Sequence, residues 1–242
     1  MSGNQTVLLN SSTPIQTCAR IAGLLFLFTV IGGGVGEFYV PSMIIVANDA
    51  AATAHNVLVH ASLFRIGFAA YLVEAICDIA LTLSLYVLLK PAGRDLARLA
   101  VFFRLVSTSV FAVGELCYFA ALPILSGAAY LKSFTPEQLN SLALLSLKLY
   151  SYCSGIFMVF YGTAGILFGV LMMRCGYLPK WLGALLALGG IGFVLSNFAL
   201  VLAPQYNSPF FALPMALAAL ALTGWLLIRG IDARRWEQVV GA

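Results

Sequence analysis

Long apolar runs alternate with short polar breaks along the whole chain. A hydrocarbon layer about 30 Å thick takes about 20 helical residues to cross. Six runs reach that length, near Ala19–Val40, Arg65–Leu89, Leu99–Leu122, Ser151–Met173, Leu178–Ala203 and Phe210–Ile228. The breaks between them are too short to house a separate soluble domain. The pattern predicts an all-α, polytopic membrane bundle of six transmembrane helices over residues 18–230, flanked by a polar tail (1–17) and a short basic tail (231–242). Residues 1–17 lack both a basic n-region and a small-residue cleavage site, so the first run reads as a retained span and not as a signal peptide.

Two helices are expected to outrun the membrane. Thr135-Pro136-Glu137-Gln138 has the form of a capping box with proline at the first helical position, so the fourth helix should start there and continue to Arg174. Asp49 precedes Ala50-Ala51-Ala52-Thr53-Ala54 and is a plausible N-cap for a segment leading into the second span. Both features predict helical extensions on the outer face.

Composition agrees with the pattern, at 62% hydrophobic and 9% charged residues. The net charge of +4 does not point to nucleic acid, because the few basic residues sit at the ends of the apolar runs and form no phosphate-tracking surface. Arg20, Lys90, Arg94, Arg98, Arg174, Lys180, Arg229, Arg234 and Arg235 fall on one side, against Lys132 and Arg65 on the other. That bias places both termini in the cytoplasm. Tyr177, Trp181 and Trp225 at the inner boundary, with Tyr39, Tyr130 and Tyr206 at the outer one, fit interfacial aromatic belts. The five cysteines at 18, 77, 117, 153 and 175 have no CxxC spacing, which speaks against a disulfide framework or a zinc site.

The chemistry lies in the acidic residues that fall inside spans: Glu37, Glu74, Asp78 and Glu115. A charge near the bilayer centre costs roughly 2.5–3.5 kcal/mol or more, so such groups face a partner or a wet cavity. Counted from the basic end of each helix, Glu37 lies 17 residues from Arg20, Glu74 16 from Lys90, Glu115 17 from Arg98 and Asn197 17 from Lys180. At about 1.5 Å per residue, all four stand at one level in the outer half. On the second span Tyr71, Glu74, Asp78 and Thr82 form one stripe, and on the third Arg104, Ser107, Thr108, Glu115 and Tyr118 form another. The short PAGRDLAR turn makes these spans antiparallel neighbours, so Arg104 is the natural counter-charge for Asp78. Arg65 is on the opposite side of its helix from Glu74 and should snorkel outward. Lys148 is the better cation for the level of Glu74 and Glu115. Three carboxylates against one nearby cation leave charge uncompensated, so at least one carries a proton or a bound cation. Gly32xxxGly36 and Gly165xxxGly169 read as sites of close helix packing.

Catalytic fingerprints are absent. His55 and His60 are five apart and miss the i, i+4 ligand face, which excludes a histidine-rich membrane metal centre. There is no GxSxG, P-loop or dinucleotide fingerprint, so no cofactor is expected; no metal ligand is assigned, and a carboxylate-rich metal site stays open. Neither an inverted repeat nor a discontinuous helix is evident, although Gly32-Gly33-Gly34 could break the first helix below Glu37.

Three stretches, DAAATAHNVLVHASLFRIGF (49–68), LYVLLKPAGRDLARLAVFFRLV (85–106) and GYLPKWLGALLALGGIGF (176–193), resemble a family of uncharacterised bacterial multi-span membrane proteins known as a domain of unknown function. The likeness covers nearly the whole chain and implies a bacterial inner-membrane protein without supplying an activity. Members of that family often have histidine in the fourth helix near the positions of Tyr150 and Ala164; its absence here departs from the pattern and weakens any histidine-based metal or proton role.

The sequence thus predicts an acidic chamber opening outward, in which Glu37, Glu74, Glu115, Asn197, Lys148 and Tyr118 serve to bind or transport a small cationic, amphipathic or lipid-like molecule. The Asp78–Arg104 ion pair would close its floor. Two other classes stay open: a membrane-embedded enzyme acting on a lipid-type substrate through the same carboxylates, and an interaction subunit whose carboxylates meet a partner's basic helix. Homo-oligomers or partner subunits are compatible with all three.

Overall fold

In the computed structural model, which describes residues 15–203, 205 and 208–241, these residues are mostly helical and no strand occurs among them. Six helical segments are long and apolar enough to span a membrane. The first joins α1 (Ile15–Gly33), a π-helical turn (Gly34–Tyr39) and α2 (Val40–Ile44) without a break. Then follow a short helix α3 (Ala50–Val59), α4 (Ala61–Leu89), and α5 (Arg94–Phe119) prolonged by α6 (Ala121–Ile124). The 40-residue α7 (Pro136–Cys175), α8 (Lys180–Leu202), α9 (Leu213–Ile228) and a short α10 (Ala233–Val240) complete the chain. Residues 1–14 of the expected polar tail and Tyr206 lie outside the described residues, and α1 already begins at Ile15.

Local chemistry explains the ends. Asp49 accepts a hydrogen bond from the Ala52 N–H at 2.8 Å and caps α3. Thr135 and Gln138 exchange side-chain and backbone hydrogen bonds in a full capping box, with Pro136 at the first helical position, so α7 starts well before the apolar run does. Gly176, at φ 75°, takes the left-handed conformation that ends α7. The π turn has its own cause. Pro41 has no N–H to offer the Glu37 carbonyl, and its ring would press on that group in an ordinary α-turn. Widening to the i→i−5 register, seen as the Val40 N–H bonding Val35 O, accommodates it.

The six spans form a closed ring in chain order. α1 packs on α4, α4 on α5, α5 on α7, α7 on α8, α8 on α9, and α9 returns to α1. The α7–α8 seam is built on glycine: a Cβ on Gly162 would come 2.6 Å from Gly190 O, and one on Gly169 would come 2.5 Å from Gly183 O. With no side chain between them, two backbones approach closely enough for dispersion to hold them in an apolar solvent. Outward rows such as Ile76, Leu83, Phe102, Val113 and Leu116 are exposed and present an apolar surface for lipid.

Both ends of the bundle are tied. At the basic end, Gln16 donates to Arg229 O (2.8 Å) and accepts from the Ile231 N–H (3.2 Å), and the Tyr177 hydroxyl donates to Leu88 O (2.6 Å). The basic segment after residue 230 is helical over Ala233–Val240 and docked, with the Trp236 indole N–H on Leu88 O and Arg235 on Gly176 O. Both described termini therefore lie at this end. At the opposite end, α3 and the start of α7 form an extra helical layer, joined to the first span by Asn56 Nδ2 donating to Ile44 O at 3.1 Å.

The interior has two apolar clusters. One, at the basic end, includes Phe26, Leu81, Leu88, Phe168, Leu171 and Leu222; the other, at the opposite end, includes Val40, Phe64, Tyr71, Phe111, Tyr118 and Leu147. Polar residues occupy the space between and within them.

Candidate functional site: two polar layers inside the ring

On α4, Tyr71, Asp78 and Thr82 are buried and Glu74 is half-buried, whereas Leu72, Val73, Ile76 and Ile79 are exposed, so the polar stripe faces into the ring. On α5, Arg104, Ser107, Thr108, Phe111, Glu115 and Tyr118 are all buried. The period of 3.6 residues and the tight turn between the two helices bring the stripes face to face.

The layer nearer the basic end is fully paired. Arg104, 3% exposed, donates from Nε to both Asp78 oxygens at 2.9 and 3.0 Å, and its Nη2 meets Oδ1. Thr108 Oγ1 lies 2.6 Å from Asp78 Oδ2 and 3.0 Å from the Arg104 carbonyl. The guanidinium carbon stands 3.7 Å from the centre of the Tyr161 ring, a cation–π arrangement supplied by α7. Such a bidentate, desolvated pair satisfies both charges and fixes the rotation of α4 against α5.

The layer toward the opposite end is only partly paired. Glu37, carried on the π turn, accepts a hydrogen bond from the Tyr150 hydroxyl of α7. Glu74 lies across a notch in α1 made by two glycines. A Cβ on Gly32 would come 3.2 Å from Glu74 Cβ, and one on Gly33 3.4 Å from Glu74 Oε1. Glu74 Oε2 is buried with no hydrogen-bond partner. Glu115 is 1% exposed, and neither of its oxygens has a partner. It approaches the Tyr150 hydroxyl, whose one proton already goes to Glu37. The hydroxyls of Tyr71 and Tyr118 are also buried and unpartnered.

Three tyrosine rings hold this layer together. Tyr71 of α4, Tyr118 of α5 and Tyr150 of α7 stand 5.4 to 5.6 Å apart, centre to centre. Phe64 stacks on Tyr118 at 4.3 Å, and Phe111 meets Tyr71 edge-on at 5.6 Å. The Tyr71 ring fills the space left by Gly36, where a Cβ would come 2.6 Å from Tyr71 Cζ. Gly32, Gly33 and Gly36 thus make room for site side chains, and do not simply let two backbones meet.

The structure brings Glu37, Glu74, Glu115 and Tyr118 into one region and pairs Asp78 with Arg104. It does not bring in Lys148 or Asn197. Lys148 is exposed, because it sits two residues before the inward-facing Tyr150, about 200° around the helix. No basic residue reaches the carboxylates from that side; among the described residues Arg104 is the one buried cation. Asn197 bonds its own helix at Phe193 O (2.8 Å), and its Oδ1 packs on Gly155, where a Cβ would stand 3.1 Å away. It serves the α7–α8 seam, since α7 separates α8 from α4 and α5. Sequence reasoning missed the roles of Tyr150 and Tyr161, both on α7. Among the described residues, no group of three or more His, Cys, Asp or Glu side chains is placed to hold a metal ion. A recess of about 430 Å³ lined by Ile79, Leu83, Tyr86 and Phe102 opens between α4 and α5 toward the lipid side, apart from the carboxylates.

Comparison with known proteins gives a family match over residues 21–230, to a domain of unknown function (DUF4386). An Archaeoglobus fulgidus protein described as "Uncharacterized protein" is 27% identical over 121 residues, which is 50% of this chain and 58% of that protein. The chain thus spans little more than half the length of this relative. No solved structure matches.

Proposed function

The chain belongs to the DUF4386 family, a domain of unknown function, and on the geometry of its own buried carboxylates we propose that it binds, or carries across the membrane, a small cationic, amphipathic or lipid-like molecule. Glu37, Glu74 and Glu115 take up the cation or the proton exchanged for it, and the Asp78–Arg104 pair forms the fixed floor. In this reading the protein lies in a bacterial inner membrane, as its family resemblance implies, and the distribution of its lysines and arginines favours cytoplasmic termini.

One observation carries this reading: among the described residues Glu115 is buried with both oxygens unpartnered, while the one buried cation is held by Asp78. A bare carboxylate in so apolar a place is far too costly to persist, so it holds a proton or a cation. A protonated Glu115 becomes a donor toward the Tyr150 hydroxyl, which donates in turn to Glu37. The same three groups can thus pass a proton from α5 through α7 to α1. The three tyrosine rings add electron-rich faces suited to an organic cation.

The test is equilibrium binding of ethidium, an aromatic amphipathic cation, to the purified protein in detergent, followed by fluorescence anisotropy. Saturable binding is expected, weakened by about tenfold or more in Glu115→Gln, or about 1.4 kcal/mol. A wild-type protein that binds no more ethidium than empty micelles, or a Glu115→Gln variant that binds as wild type, overturns the assignment.

A further inference from the structure

We propose that the recess between α4 and α5 seats one phospholipid of net negative charge, with a chain along the two helices and the headgroup at the basic end of the bundle. The recess holds about 430 Å³. Ile79, Leu83 and Phe102 line it as side chains exposed on the lipid side. Thr82 lies buried at its base, and its hydroxyl donates to the Asp78 carbonyl of its own helix at 2.7 Å, so the base makes no polar demand on an occupant. Ile79 and Tyr86, both in the lining, are seven residues apart on one helix, which gives the trough a length of about 10 Å. Its far end is polar. Tyr86 and Arg98 line it there, next to the turn that joins α4 to α5.

Charge decides what occupies the trough. Arg94, Arg98 and Phe102 recur every four residues and share one face of α5, so Arg94 continues the lining past Arg98 toward the membrane surface. Lys90 ends α4 at the same turn. Against these three cations, Asp95 is the one acidic residue between positions 86 and 103. It meets Arg98 at 3.1 Å, but both side chains are exposed, and such a pair is weak enough for the guanidinium to turn to another anion. The apolar lining fits a chain without choosing between lipids, because trough and bilayer are equally apolar. The choice therefore falls to the headgroup. Basic pockets between spanning helices attract anionic headgroups, and a guanidinium meets two phosphate oxygens at once. A zwitterionic lipid also brings a phosphate, but with a cation that the basic cluster repels. A second copy of the chain packed here about a two-fold axis would set its own three cations against these. The seat lies on the outer face of the ring and stands whether or not the carboxylate layer binds an organic cation.

The test is native mass spectrometry of the full chain, purified in detergent, stripped of lipid and titrated with dioleoyl phosphatidylglycerol or dioleoyl phosphatidylcholine. The first phosphatidylglycerol should bind about tenfold or more tighter than the first phosphatidylcholine. Arg94→Gln/Arg98→Gln should bring the two lipids within about threefold of each other. Arg174→Gln/Lys180→Gln removes two exposed cations from the α7–α8 turn at the same end of the bundle and should keep the full preference. That control separates a defined seat from the general positive charge of this end. Val101 is half-buried in the lining, so Val101→Trp puts a large ring into the trough and should weaken the first phosphatidylglycerol by about fivefold or more with both arginines in place. Equal binding of the two lipids by the wild type, a preference that survives in Arg94→Gln/Arg98→Gln, or one lost equally in Arg174→Gln/Lys180→Gln would each overturn the proposal. So would a Val101→Trp variant that binds as wild type, or a wild-type dimer that takes up no lipid.

Discussion

Removing the guanidinium from Arg104 offers the sharpest test of how the ring is held. In Arg104→Met, Asp78 loses the Nε contacts at 2.9 and 3.0 Å and the Nη2 contact, keeping only the Thr108 hydroxyl. Asp78 is 7% exposed, so water cannot replace them. Breaking a buried pair by deleting one partner costs about 3–5 kcal/mol, chiefly for the stranded charge. The double variant Asp78→Leu/Arg104→Met should behave differently. It leaves no buried charge, and Thr108 still has the Arg104-position carbonyl at 3.0 Å to donate to. Its stability should return to within about 1–2 kcal/mol of wild type, because a buried ion pair is often no better than apolar side chains of similar volume. Unfolding by sodium dodecyl sulfate from mixed micelles, followed by the fluorescence of the three tryptophans, measures all four corners of the cycle. The coupling energy should be at least about 2 kcal/mol. If Arg104→Met lies within about 1 kcal/mol of wild type, or the two single effects simply add, the pair is not the fixed floor described above.

Two other substitutions test the carboxylate layer. Gly36→Ala drives a methyl into the Tyr71 ring, which Phe111, Tyr118 and Tyr150 hem in; it should cost about 1–3 kcal/mol in the same unfolding assay and weaken ethidium binding together with stability. Lys148→Ala, by contrast, alters an exposed position on the outer side of α7; stability should stay within about 0.5 kcal/mol and ethidium affinity should be unchanged, and a marked loss of either would mean that Lys148 reaches the carboxylates after all.

Several features were legible before any tertiary structure. The lengths of the apolar runs and the breaks between them fix six spans, and Thr135-Pro136-Glu137-Gln138 and Asp49 announce where α7 and α3 start, because capping depends on residues a few positions apart. The stripes on α4 and α5 were legible for a related reason. A helical period is a local property, and the PAGRDLAR turn leaves the two helices no choice but to lie side by side, so Asp78 and Arg104 can be set opposite each other from sequence positions alone.

The place of α7 was not legible. Its first half carries leucine on opposite sides, with Leu145 and Leu149 outward and Leu147 inward. In a membrane, lipid and protein interior are equally apolar, so hydropathy gives no direction to face. A rotation of about 200° separates Lys148 from Tyr150, and hydropathy weighs neither orientation against the other. What decides it is the close crossing at Gly114, the glycine seam with α8, and the closing of the ring that carries Tyr150 to Glu37, 113 residues away. The glycines of α1 show the same division. Their spacing marks a close approach, but whether a second backbone, a carboxylate or a tyrosine ring fills the gap depends on which helix the ring places beside it. Sequence alone determined the spans, their order and the level of the charges along each helix, because these follow from length, period and capping. The tertiary structure decided which face of each helix turns inward, and so which charges were paired and which left bare, because that choice rests on contacts between residues far apart in the chain.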